Sequence, residues 1–138
     1  MKFLVSILVV VFSILTSSIT AQNNTITVTV VNASSDDGKI GFSLYAKDNF
    51  MRNPIQGKEG KIKEGKSTII FENVPKGEYA IVCFHDKNNN DKMDFSPNRM
   101  PLEDYGASNN ILNPYGPPTF DTAKFVVSDK NVSLAIKF

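Results

Sequence analysis

Tyr79-Ala80-Ile81-Val82-Cys83-Phe84-His85-Asp86-Lys87-Asn88-Asn89-Asn90-Asp91-Lys92-Met93-Asp94 changes character halfway along. Its first part, through Phe84, is apolar on both faces of an extended chain, the pattern of a central strand covered on both sides. From Asp86 onward an oxygen-bearing side chain recurs at every second position, at Asp86, Asn88 and Asn90, with Asp94 four residues further on. A chain that winds round a hard cation presents its oxygens at that spacing. The stretch therefore predicts a buried strand that runs directly into a long loop with a probe for metal at its start.

Outward from this strand, short alternating runs dominate. Thr25 to Val30 places Ile26, Val28 and Val30 on one face and threonines on the other, and Lys39 to Ala46 does the same with Ile40, Phe42 and Leu44. Each is a half-buried strand. The turn chemistry between them, ending in Asp37-Gly38, predicts a hairpin. Pro54, Gly57, Gly60 and Gly65 punctuate a lysine-rich segment that reads as an edge strand near Ile55 to Lys63. Ser67 to Phe71 is a further strand, followed by a turn at Val74-Pro75-Lys76-Gly77. Ala123 to Val127 and Val132 to Phe138 close the chain. From Asp86 to Pro118 neither period persists, and the segment carries Pro97, Pro101, Pro114, Pro117 and Pro118. About seven short strands without an amphipathic helix predict an all-β fold, an antiparallel β-sandwich with one long loop over residues 86–118.

The first residues carry an address. Lys2 precedes an almost wholly apolar run from Phe3 to Ile14, then small polar residues lead to Ala21-Gln22. This is the three-part pattern of a secretory signal peptide over residues 1–21, leaving a single domain over 22–138. The chain has 15 basic and 14 acidic residues, and loss of Lys2 with the leader makes the two equal. A neutral surface has no electrostatic footprint for nucleic acid, and no second apolar run is long enough for membrane insertion once the signal is cleaved. Cys83 is the only cysteine, so no internal disulfide forms; within its apolar run it reads as a small buried hydrophobe.

The loop predicts calcium, a hard ion that takes oxygen ligands. Asp86, Asn88 and Asn90 fill the first, third and fifth ligand positions, the backbone carbonyl of Lys92 the seventh and Asp94 the ninth. The sequence departs from a helix-loop-helix calcium site at two places: Asp91 stands where glycine is usual, and Pro97 where a bidentate glutamate is usual. Glu103 or its neighbour Asp104 is placed to close the shell instead, and Glu103 is the one taken as a ligand. The competing expectation is an asparagine-rich turn whose side chains bond their own backbone. Zinc lacks its ligands, with a single histidine and a single cysteine in the chain. His85 is expected to brace the loop or touch a ligand, because adjacent strand residues point to opposite faces and His85 would diverge from Asp86. Tyr105 and Tyr115 give the loop flat rings suited to a sugar or a peptide.

His85-Asp86-x-Asn88-x-Asn90-x-x-Met93-Asp94, followed by Met100-Pro101-x-Glu103-x-Tyr105-Gly106-x-Ser108-Asn109-Asn110, resembles the signature of a secreted bacterial family, domain of unknown function 2141. Phe71 to Ala80 resembles the strand-turn-strand that precedes it. The resemblance covers nearly the whole chain after the leader. It implies a bacterial envelope protein with a transthyretin-like sandwich and brings no activity with it. Relatives commonly have glycine where this chain has Asn89 and Asp91. Together these readings predict a calcium-stabilised binding or adhesion-type module of the periplasm or cell surface, with an envelope ligand or protein as partner. The rival readings are a carbohydrate or peptide binder using the loop tyrosines, and an envelope hydrolase using His85.

Overall fold

The computed structural model describes residues 23–138; the signal peptide expected over 1–21 lies outside the described residues. Eight strands follow in order: β1 (Asn24–Val30), β2 (Lys39–Tyr45), β3 (Gln56–Gly60), β4 (Ser67–Val74), β5 (Gly77–Asp86), β6 (Tyr105–Ala107), β7 (Phe125–Val127) and β8 (Val132–Ile136). A single helical turn, α1 (Phe120–Ala123), precedes β7. One sheet has the order β4-β1-β8; the other has the order β3-β2-β5-β6, with β7 also paired to β5. The second sheet is antiparallel throughout, whereas β8 runs parallel to β1 in the first. The all-β sandwich holds, with one parallel pair added. Among the described residues no helix is long and apolar enough to cross a membrane.

The expected hairpin does not form. β1 pairs with β4 and β8, β2 with β3 and β5, so the link through Asp37-Gly38 crosses from one sheet to the other. Ile26, Val28 and Val30 face Ile40, Phe42 and Leu44 across the interior, joined there by Phe71, Ile81 and Ile136. Alternation says that a strand has one buried face. It does not distinguish a neighbour in the same sheet from a partner across the sandwich, and here the second arrangement wins. Each large side chain so buried contributes roughly 1.5–3 kcal/mol.

β5 is the central strand that its sequence announces. Tyr79, Ile81, Cys83 and His85 enter the inter-sheet core, while Ala80 and Val82 pack on the outer face with Ala107, Phe120, Ala123 and Phe50. The loop that follows is less irregular than its composition suggests. It returns to β5 as β6, whose register pairs Phe84 with Tyr105 and Val82 with Ala107. Three residues are too few to show a period, so β6 left no alternation to read.

Candidate functional site, a knotted loop beside an apolar groove

Asp86 is the last residue of β5 and its carboxylate is wholly buried. One oxygen accepts the backbone N–H of Asn90 at 3.0 Å and the other that of Asp91 at 2.9 Å, which winds the next turn of chain about it. Asn88 Oδ1 accepts from Asn90 N, and Asn90 Oδ1 from Lys92 N. The amide nitrogens of both asparagines converge on the Asp94 carboxylate, Asn88 Nδ2 at 2.7 Å and Asn90 Nδ2 at 2.9 Å. Glu103 then staples both ends of the turn: Oε1 accepts from Lys87 N at 3.1 Å and Oε2 from Asp94 N at 3.2 Å. Asp86, Asn88, Asn90, Asp94 and Glu103 thus meet in one hydrogen-bonded knot, with Lys92 contributing its amide. Among the described residues no three His, Cys, Asp or Glu side chains converge as a metal group; here carboxylates are interleaved with amides. The side chains carry the oxygens that suit a hard cation in kind, while in this arrangement the asparagine oxygens accept backbone N–H groups and their nitrogens face Asp94.

Asn89 and Asp91 have φ of 55° and 63°. That is the left-handed region glycine enters freely, and asparagine and aspartate enter it most readily of the other residues. Asparagine and aspartate at these two positions therefore suit the backbone that the loop adopts. Asp91 also pairs with Lys39 of β2, which in turn binds Glu59 at 2.8 Å. The pairing holds the Asp91 carboxyl below its usual value and the Lys39 ammonium above its own.

Between the two acids expected to close the shell, Glu103 enters the knot and Asp104 leaves it. Asp104 Oδ2 accepts the Ser34 hydroxyl at 2.6 Å, and that bond is the leading cause that lowers the carboxyl's pKa, with Lys87 at 3.6 Å adding to it. His85 diverges from Asp86 as strand geometry requires. Its ring is 0% exposed, lies in the inter-sheet core stacked on Phe138, and bonds the carbonyl of Asp37 through Nε2 at 2.7 Å. It braces the β1–β2 link, so the expectation that it touches a ligand gives way. Cys83 is buried beside it, and burial pushes the thiol pKa up, which keeps it protonated.

On the outer face of the five-stranded sheet, the rest of the loop encloses a groove of about 640 Å³. Its floor is Tyr45, Val82 and Phe84; Met93, Tyr105 and Tyr115 line it from the loop side. Phe84 lies over Gly41, where a Cβ would sit 2.8 Å from the ring, so the glycine makes room for this floor. Phe95, Met100 and Tyr115 remain 57%, 60% and 97% exposed around it. A second depression of about 400 Å³ adjoins at Ser43 and Phe84 and carries the Lys39, Glu59 and Asp91 charges. Of the residues expected to meet a ligand, Tyr105 and Tyr115 line the groove. Met93, Met100 and Tyr45 were not legible as its partners, although exposed thioethers and rings in a polar loop are a signal of a binding surface.

The end of the loop signature has a structural task. Ser108 Oγ accepts Ile81 N at 3.0 Å and donates to the Ala123 carbonyl. Asn109 Nδ2 bonds the carbonyls of Thr122 and Lys124, and Asn110 bonds Ala135 O and Lys137 N. Gly106 is required because a Cβ there would lie 2.6 Å from the Lys137 carbonyl oxygen. These residues latch the loop's far end to β5, α1 and β8. Comparison with known proteins finds one family, described as "uncharacterized protein conserved in bacteria" (DUF2141), matching residues 28–135. No curated protein and no solved structure matches the chain.

Proposed function

This chain belongs to the bacterial family DUF2141, and from that premise we propose that it is a secreted ligand-binding module of the cell envelope whose long loop is ordered by calcium. The groove of about 640 Å³ carries the reading, because it falls within the roughly 300–1,000 Å³ of pockets that enclose small ligands. The apolar run and small-residue exit before Gln22 support secretion, to the periplasm or cell surface. Two small sheets joined by links that cross between them support a transthyretin-like sandwich.

Asp86, Asn88, Asn90, Asp94 and Glu103 would hold the ion, with the Lys92 carbonyl. Calcium would take the place of the two amide N–H groups now turned to Asp94, as its ligands are oxygens. Its role is to fix one wall of the groove. A sugar carries hydroxyls on every side and needs many matching polar groups, whereas thioethers, prolines and ring faces make up most of this groove, with the tyrosine hydroxyls, Ser43, Asn113 and Arg99 as its polar groups. An apolar ligand fits better. The hydrolase reading is not carried forward, because the His85 ring is closed off from the outer face.

Binding of Nile red, a neutral apolar dye, tests the groove. Saturable 1:1 emission enhancement is expected with the folded chain, and its loss in Ser43→Trp, which fills the floor. Absence of saturable binding would sink the proposal.

A further inference from the structure

We propose, resting on the groove reading above, that the natural occupant is an amphiphile with one apolar tail and a carboxylate head, and that Arg99 is the residue that recognises the head. Arg99 lines the groove and is exposed. No Asp or Glu lines the groove, and Arg99 is the only Lys, Arg or His that does. Among the described residues its guanidinium has neither an ion pair nor a side-chain hydrogen bond. The remaining lining is thioether, ring, proline, valine and glycine, with Ser43 and Asn113 as the non-aromatic polar groups. One uncompensated cation beside an apolar trough is complementary to a ligand with one anion and an apolar body.

The backbone adds a second argument. Arg99 N donates to the Ser96 carbonyl at 2.8 Å, Ser96 N to the Met100 carbonyl at 2.9 Å, and Met100 N to the Ser96 hydroxyl at 3.1 Å. This tight turn fixes the Arg99 Cα beside the groove. Its φ is 62°, a conformation that glycine adopts at no steric cost and arginine does not. Turn geometry would favour glycine there, as at Met51 and Glu64, so the backbone fixes the place of Arg99 and its charge carries the assignment. A planar guanidinium offers two parallel N–H donors to a carboxylate, a match that an alcohol cannot reproduce.

The test is displacement of Nile red by dodecanoate and by dodecanol, both below their aggregation concentrations and at neutral pH. Dodecanoate is expected to displace the dye at about tenfold lower concentration, roughly one charge-assisted bond's worth of affinity. Arg99→Gln should bring dodecanoate to the level of dodecanol and leave dodecanol unchanged; Arg99→Lys should recover part of the preference. Equal potency of the two on the native chain, or an unchanged preference in Arg99→Gln, overturns the carboxylate assignment while the groove stands. Failure of Nile red to bind saturably removes the groove, and this assignment with it.

Discussion

Glu103 is the residue on which the loop's closure turns. It is 8% exposed and accepts two backbone N–H groups, from Lys87 and Asp94, that are sixteen and nine positions away. Truncating it leaves both donors without their acceptor in a part-buried turn. Glu103→Ala is therefore expected to lower stability by about 2 kcal/mol in urea unfolding with EDTA present, where no cation contributes. An unchanged midpoint would mean that the turn holds itself through Asp86 alone. The near half of this site was legible in the sequence, because Asp86, Asn88, Asn90 and Asp94 lie within a few residues and their spacing encodes the winding. Glu103 was taken over Asp104 with no spacing to support the choice, since neighbours on an irregular chain point where the tertiary structure sends them. Ser34, seventy positions from Asp104, decides that one.

At the scale of elements, the links decide more than the strands do. The sequence revealed the strands through their alternation, β5 above all, but assigned β1 and β2 to one hairpin. What sends them to opposite sheets is contact made by the connections. The Asp36 carboxylate, in the β1–β2 link, accepts the backbone N–H groups of Glu64 and Gly65, each at 2.8 Å, in the link before β4. Both of those residues have positive φ, 53° and 71°. The two bonds hold the Asp36 carboxyl below its ordinary value of 3.8. A lowered folded pKa means that the unfolded chain binds more protons over that interval, so this contribution is present at neutral pH and lost as pH falls through the folded value. The stability difference between the native chain and Asp36→Asn should accordingly be largest near neutrality and shrink below about pH 4, read from urea midpoints across the range. A difference that stays constant with pH would show that the carboxylate charge is not what secures the link. β6 escaped the sequence pattern because three residues are too short for a period, and the Ser108-Asn109-Asn110 latch because its order comes from side chains bonding distant backbone, which leaves no period behind.

For the whole molecule, the sandwich separates two tasks. Its interior, from Ile26 through Phe42 and Phe71 to Ile136, is sealed, and takes His85 and Cys83 with it. The proposed ligand site is on the outer face of the five-stranded sheet, where the loop runs from the Asp86 knot past the groove to the Ser108 latch. The loop is tied at both ends by neutral or carboxylate hydrogen bonds, and calcium at the knot would bind the folded chain and not the unfolded one. Such a ligand raises stability by RT ln(1 + [L]/Kd), about 2.7 kcal/mol at a hundredfold excess over Kd. The most direct test is thermal unfolding of residues 22–138 in EDTA and then in millimolar calcium or magnesium, repeated with Asp86→Ala. The account predicts a rise in midpoint with calcium, little with magnesium, and none in the variant. An identical midpoint in EDTA and in calcium would contradict it and leave the knot as an asparagine-rich turn that closes without a metal.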